Sequence, residues 1–220
     1  MSEKHAYLRP RDAATLIILR EEREVLLGMR SSHHVFMPQR YVFPGGRVDA
    51  GDARVPSPIT LRPQVEDKLA RSVSPARARA LAMAAVRETF EETGLILGKP
   101  SSEAIRTRSE GWAPFYNTGF VPDLARLDYF ARAITPPNRV RRFDARFFTV
   151  DSKYLHGELR GNGELEDLRW VNLDDVHQYP LASITELVLE VLRQKLRGED
   201  PKDEATPLFK ALRGKELMEY

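Results

Sequence analysis

The chain has 220 residues, 42% of them hydrophobic and 30% charged, and contains no cysteine. That length suits one elaborated domain burying roughly 70% of its unfolded surface without a staple. The missing thiols exclude a disulfide scaffold, a zinc ribbon and a cysteine nucleophile. Thirty-four Lys and Arg against thirty-two Asp and Glu leave +2, too balanced for bulk nucleic-acid binding. Arginines make up 26 of the 34 basic residues; they suit bidentate recognition of phosphate and carboxylate, although GC-rich coding gives the same excess. The apolar run Ala13–Leu19 falls far short of the ~20 residues that span a bilayer. Met1-Ser2-Glu3-Lys4-His5 lacks the basic-then-apolar layout of a secretory signal. A cytoplasmic protein with no membrane partner is expected.

Ala13–Leu19 and Val25–Met29, separated by Glu21-Glu22-Arg23-Glu24, predict a β-hairpin with a charged turn. Tyr41-Val42-Phe43 predicts a strand that ends where Pro44-Gly45-Gly46 turns the backbone sharply. Residues 53–73 carry Pro56, Pro58 and Pro63 with mixed charge and no sustained period; they are expected to form a surface excursion with a short helix at Gln64–Arg71. Ser74-Pro75 supplies an N-cap and a first-turn proline. Ala78, Leu81, Ala82, Ala85, Val86, Thr89 and Phe90 follow at helical spacing, and Gly94 caps the end, so a helix is expected over Pro75–Thr93. Leu127–Ile134 and Phe143–Val150 predict paired strands across Thr135-Pro136-Pro137-Asn138, and Glu164–Val171 a further strand. Pro180–Arg197 predicts an amphipathic closing helix, and the polar residues 201–220 a loosely docked tail beyond a single domain at 1–200. Strands on both sides of a helix, with a second long helix at the end, predict an α/β fold with a mixed sheet between helical layers.

Chemistry concentrates at the end of the first long helix. At about 100° per residue, Glu92 falls about 60° from the middle of the apolar face, with Glu88 and Glu91 progressively further round. Spacings of three and four residues crowd these carboxylates onto one side. Three anionic groups in the last two turns oppose the helix dipole and repel one another. A cation resting on the cluster relieves both penalties, and hard oxygen donors suit Mg²⁺ or Mn²⁺. A plain solvated acidic face tethered by Arg87 is the alternative.

Arg87-Glu88-Thr89-Phe90-Glu91-Glu92-Thr93-Gly94-Leu95 resembles the second half of the Nudix box, G-x5-E-x7-R-E-U-x-E-E-x-G-U with U apolar. Six such fixed positions match by chance about 10⁻⁵ times in a chain this long. Gly46 and Asp52 fit the first half, with Asp in place of Glu. The box acid and the arginine stand 35 apart instead of 8, an insertion of 27, and Thr89 occupies a position that is usually aliphatic. Leu26-Leu27-Gly28-Met29-Arg30-Ser31, Phe36-Met37-Pro38, Val42-Phe43-Pro44-Gly45-Gly46 and Arg141-Arg142-Phe143-Asp144-Ala145-Arg146-Phe147-Phe148 are similar to a branch with an interrupted box. Some members of that branch resemble peroxisomal coenzyme A diphosphatases. Val35 and Gln39 depart from the coenzyme A signature, so coenzyme A is one candidate substrate among nucleotide derivatives.

The resemblance implies a Nudix-type α/β/α sandwich with a mixed central sheet and a catalytic loop-helix. It also implies metal-dependent hydrolysis of a nucleoside diphosphate linked to another moiety. Carried over by position, Glu88, Glu91 and Glu92 hold Mg²⁺ or Mn²⁺, with a carbonyl of Gly45-Gly46 as an addition and Asp52 reaching the metal through water or only supporting the loop. Arg87 orients a glutamate and ties helix to loop. Glu164 and Glu166 are the general-base candidates besides the box glutamates, and Arg30, Arg47, Arg141 and Arg142 the candidate phosphate binders. His33-His34 is not read as a metal pair, because adjacent residues in extended chain point apart. Dimers are common among similar proteins, though no motif here specifies one. The competing readings are a Nudix-fold binding module without catalysis, disfavoured by three intact helix glutamates, and an isoprenoid diphosphate isomerase, disfavoured by the missing cysteine.

Overall fold

The computed structural model describes residues 9–32, 37–137, 139, 141–199, 205–212 and 215–219. In chain order the elements are β1 (Arg11–Arg20), β2 (Glu24–Arg30), β3 (Tyr41–Val42), β4 (Gly45–Arg47), α1 (Ala50–Arg54), α2 (Pro63–Ala70) and α3 (Pro75–Thr93). There follow β5 (Ile96–Pro100), α4 (Ala113–Tyr116), β6 (Phe120–Pro122), β7 (Asp128–Ile134), β8 (Phe143–Asp151), β9 (Leu155–His156) and β10 (Leu165–Asn172). The chain closes with α5 (Ser183–Leu196), β11 (Leu208–Leu212) and β12 (Lys215–Glu219). The main sheet runs β10-β2-β1-β8-β7-β11-β12, with β3 on β2 and β4 on β1. β5, β6 and β9 form a small second sheet.

β1 pairs antiparallel with β2 and β4 and parallel with β8, so the sheet is mixed. Successive strand side chains point to opposite faces. Leu16 and Ile18 accordingly join Leu81, Ala82 and Ala85 of α3 in one apolar cluster. Ile17 joins Val25, Leu27 and, from α5, Val188, Leu189 and Leu192 in another. A strand covered on both faces reads as a near-continuous apolar run, which is how Ala13–Leu19, with Thr15 inside it, reads. The result is the predicted layering of helix, mixed sheet and helix.

The two predicted hairpins form, β1 with β2 and β7 with β8. α3 has the predicted limits: Ser74 Oγ accepts from Arg77 N at 3.3 Å, and Gly94 (φ 73°) donates its N–H to Phe90 O at 2.9 Å. The Pro44-Gly45-Gly46 turn differs from expectation. The strand ends at Val42, and Gly45–Arg47 is laid back on β1 as β4. A Cβ at Gly45 would stand 2.5 Å from Ala14 O, so only glycine allows this approach.

Two segments read as peripheral are built in. Within 53–73, Val55, Leu61, Val65 and Leu69 are buried in the cluster around α3. Val65 and Leu69 are four apart and share one face of α2. Arg79 of α3 donates to Asp52 O and Ala53 O at 3.3 Å and to Val55 O, satisfying carbonyls at the end of α1 that the helix itself leaves open. Beyond residue 200, β11 pairs in parallel with β7 and places Phe209 in the cluster under α5, where a loose tail was expected.

Candidate functional site

β4 carries the glycine turn against the C-terminal half of α3. A Cβ at Gly46 would lie 2.4 to 2.6 Å from the carboxylate atoms of Glu88, so the loop meets the helix through a position where a side chain has no room. One residue earlier, Gly45 N donates to Glu92 Oε2 at 2.8 Å. An amide N–H of the turn is thus bonded directly to one of the glutamates. Glu92 is 6% exposed, and the side chains of Glu88 and Glu91 are 13% and 31% exposed. That is the order their rotation about the helix predicts.

Arg87 joins the two halves of the box. Its Nε donates to Asp52 Oδ1 at 2.8 Å and its Nη2 to Asp52 Oδ2 at 3.0 Å and to Arg47 O at 2.9 Å. Its Nη1 stands 2.9 Å from Glu91 Oε2 and 3.0 Å from Glu88 Oε1. Asp52 is fully buried; Oδ1 also accepts from Trp112 Nε1 at 2.8 Å, and Oδ2 from Asp49 N at 2.7 Å. Four bonds spread over both oxygens thus tie Asp52 to the loop, to Arg87 and to Trp112. Trp112, fully buried, was not foreseen. It lies 60 residues from Asp52 in a stretch without periodicity. Its segment packs closely: a Cβ at Gly111 would stand 3.0 Å from Glu91 Oε1, and one at Gly51 2.4 Å from Ser109 Oγ.

The electrostatics are those of a charge cluster short of cations. Burial first, and then the charge of Glu88, hold the Glu92 carboxyl well above its ordinary value against the Gly45 N–H and Arg30. Glu88 is pushed up to about 7 by burial, with Glu91 and Asp52 adding and Arg87 opposing. Burial also raises Glu91. Arg87 itself stays charged, because Asp52, Glu88 and Glu91 outweigh its own desolvation.

The remaining candidates separate. Arg30 is desolvated beside Glu92, Glu164 and Glu88, whose charges act on it. Glu164 belongs to the same field, since it also acts on Glu92, and its carbonyl accepts from Ser31 N at 3.2 Å. Glu166 is exposed on β10 opposite Met29. Arg47 is exposed, and its described contribution is the carbonyl that Arg87 holds. Arg142 is buried at the β7–β8 connection, where its Nε donates to Thr135 O at 3.1 Å; Arg141 beside it is exposed. Arg142 thus braces that connection. His33 and His34 lie outside the described residues, as do Val35 and Phe36.

The donor set fits a hard divalent ion in its chemistry: three carboxylates, all with raised pKa, each keeping one oxygen outside the bonds named above. Among the described residues, however, no three acidic or imidazole groups already converge as a metal site. Arg87 draws Glu88 and Glu91 toward itself.

No family model and no curated protein matches the chain. Solved structures do. A Nudix hydrolase from Alicyclobacillus acidocaldarius is 27% identical, with a TM-score of 0.65 over 85% of this chain and 92% of that one. A MutT protein from Methanosarcina mazei Go1 is 16% identical, with a TM-score of 0.50 over 86% and 98%, and bears on the fold alone. With the box residues meeting across Gly46 and Arg87, the chain is similar in fold and sequence to a Nudix hydrolase, one of the enzymes that act on phosphorus anhydrides. No helix among the described residues is long and apolar enough to cross a membrane.

Proposed function

We propose that the protein is a pyrophosphohydrolase that requires Mg²⁺ or Mn²⁺ and cleaves a nucleoside diphosphate linked to a second moiety, coenzyme A and related nucleotide derivatives being the candidate substrates. The observation that carries this is the placing of Glu88 and Glu92 against the Gly45-Gly46 turn, with Glu91 joined to Glu88 through Arg87 and with Glu88 and Glu92 disfavoured as free anions. Glu88, Glu91 and Glu92 would hold the ion. When bound, it neutralises diphosphate charge and lowers the pKa of coordinated water.

The chain's own residues do the rest. Arg87, fixed by Asp52 and Trp112, orients Glu88 and Glu91. Arg30 stands beside the same carboxylates and binds phosphate oxygens. Glu164, in the same field, accepts the proton of the attacking water.

The test is release of phosphate-containing products from coenzyme A, ADP-ribose, NADH and diadenosine polyphosphates, with and without Mg²⁺ or Mn²⁺. Turnover should depend on the added ion and disappear in a chelator. Glu92→Gln should lower kcat by about 10²-fold or more while melting at or above the wild-type temperature, because an unfavourable buried charge is removed. Glu91→Gln should lose comparable activity without that gain, since Glu91 is paired with Arg87. Retention of more than about a tenth of wild-type turnover in Glu92→Gln would remove the assignment. Absence of turnover on every substrate would favour the binding-module reading.

A further inference from the structure

Where α3 ends, a cavity of about 420 Å³ opens, lined by Phe90, Glu91, Gly94, Pro114, Arg160, Gly161, Asn162 and Glu164. We propose that this cavity receives the nucleoside of the substrate, with the base lying on Phe90 and its polar edge read by Arg160 and Asn162; the proposal rests on the hydrolase reading above.

Position is the first argument. Glu91 belongs to the carboxylate cluster and Glu164 acts on it, so a phosphate at the glutamates has this space beside it for the group it carries. Size is the second, because the volume lies within the roughly 300–1,000 Å³ of small-molecule pockets and far exceeds what a phosphate group fills.

The lining supplies the chemistry. Phe90 offers an aromatic surface and is held edge-on to buried Phe115, with ring centroids 5.4 Å apart. Aromatic surfaces stack any base. Arg160 is exposed and has no carboxylate partner among the described residues, and guanidinium and amide groups are the usual readers of base edges.

The wall is also preformed. Arg160 N donates to Thr93 O at 2.7 Å, and Asn162 Oδ1 accepts from Glu164 N at 2.9 Å. A Cβ at Gly94 would stand 2.8 Å from Glu158 O, and one at Gly157 2.7 Å from Gly94 O. Glycines on both sides therefore let the 157–164 loop lie tight on the helix end. The Nudix box fixes neither Arg160 nor Asn162, and Phe90 fills one of its unrestricted positions.

Calorimetric titration of the full chain in Mn²⁺ with AMP, GMP, CMP, UMP and ribose 5-phosphate tests this without requiring turnover. At least one nucleotide should bind about tenfold more tightly than ribose 5-phosphate, which lacks the base. Two variants follow: Phe90→Leu, which removes the aromatic surface, and Arg160→Ala, which alters an exposed side chain and leaves the core intact. Loss of the preference in either variant supports the proposal. Its persistence in both, or a wild-type preference under about threefold, overturns it. Hydrolysis with no base preference would remove the cavity's role and keep the hydrolase; base preference without hydrolysis would do the reverse.

Discussion

Asp52 is one methylene shorter than the glutamate of the Nudix pattern, yet it is the most completely engaged carboxylate around the box, accepting from Arg87, Trp112 and Asp49. The indole of Trp112 donates to the same Asp52 oxygen as Arg87 Nε. Its influence on the glutamates is indirect, through Asp52 and the Arg87 guanidinium. Trp112→Phe leaves a buried carboxylate oxygen short of one donor, at a cost of about 1–3 kcal/mol in stability. A partner behind a metal ligand is typically worth about 10–100-fold in metal affinity, so Mn²⁺ binding measured by calorimetry should weaken by about tenfold. Lower stability with unchanged Mn²⁺ affinity would reduce Trp112 to a plain core residue. Nothing local in the sequence announces Trp112, because a contact across 60 residues leaves no periodic trace. The glutamates were legible because i,i+3 and i,i+4 spacing fixes their common side whatever packs around them.

Elements whose burial is continuous were read correctly from pattern: the β1–β2 and β7–β8 hairpins, α3 with both caps, and the apolar stripe of α5. The two misjudged segments have sparse apolar residues. In the insertion, Val55, Leu61, Val65 and Leu69 each reach the core between charged neighbours and prolines. At the C-terminus, Phe209 is the described side chain that anchors β11 beside α5. One anchor per strand is too little signal for a two-residue period, and the backbone pairing with β7 has no sequence signature at all. Phe209→Ala should therefore destabilise the protein by about 3 kcal/mol, the size seen for aromatic truncation in a core, as read by denaturant unfolding. An unchanged midpoint would return residues 205–219 to the status of a loose tail.

Across the whole molecule, buried arginine–carboxylate clusters tie the layers together. On the sheet face covered by α3, Arg132 binds Asp144 bidentately at 2.8 and 2.7 Å, and Arg146, 1% exposed, reaches Asp144, Asp12 and Ser72. The last of these joins the end of the insertion to β8. Burial alone would raise the Asp144 carboxyl, but hydrogen bonds and charge from Arg132 and Arg146 outweigh it and hold the group below its ordinary 3.8. A folded pKa below the unfolded one adds stability above pH 3.8 and loses it as the pH falls through the folded value. Stability measured against pH should show this loss in the acid range, and Asp144→Asn should lack that part of the slope. Identical slopes would assign acid sensitivity to other carboxylates.

The chain has two tryptophans, and they occupy opposite environments. Trp170 lies under the Arg20 guanidinium, 4.4 Å from its ring centroid, whereas Trp112 is sealed in the brace with its N–H on a carboxylate. Replacing Trp170 by Phe would leave a single emitter one side chain removed from Arg87. Cation loading, nucleotide docking and closure of the box could then be followed by fluorescence in unlabelled protein.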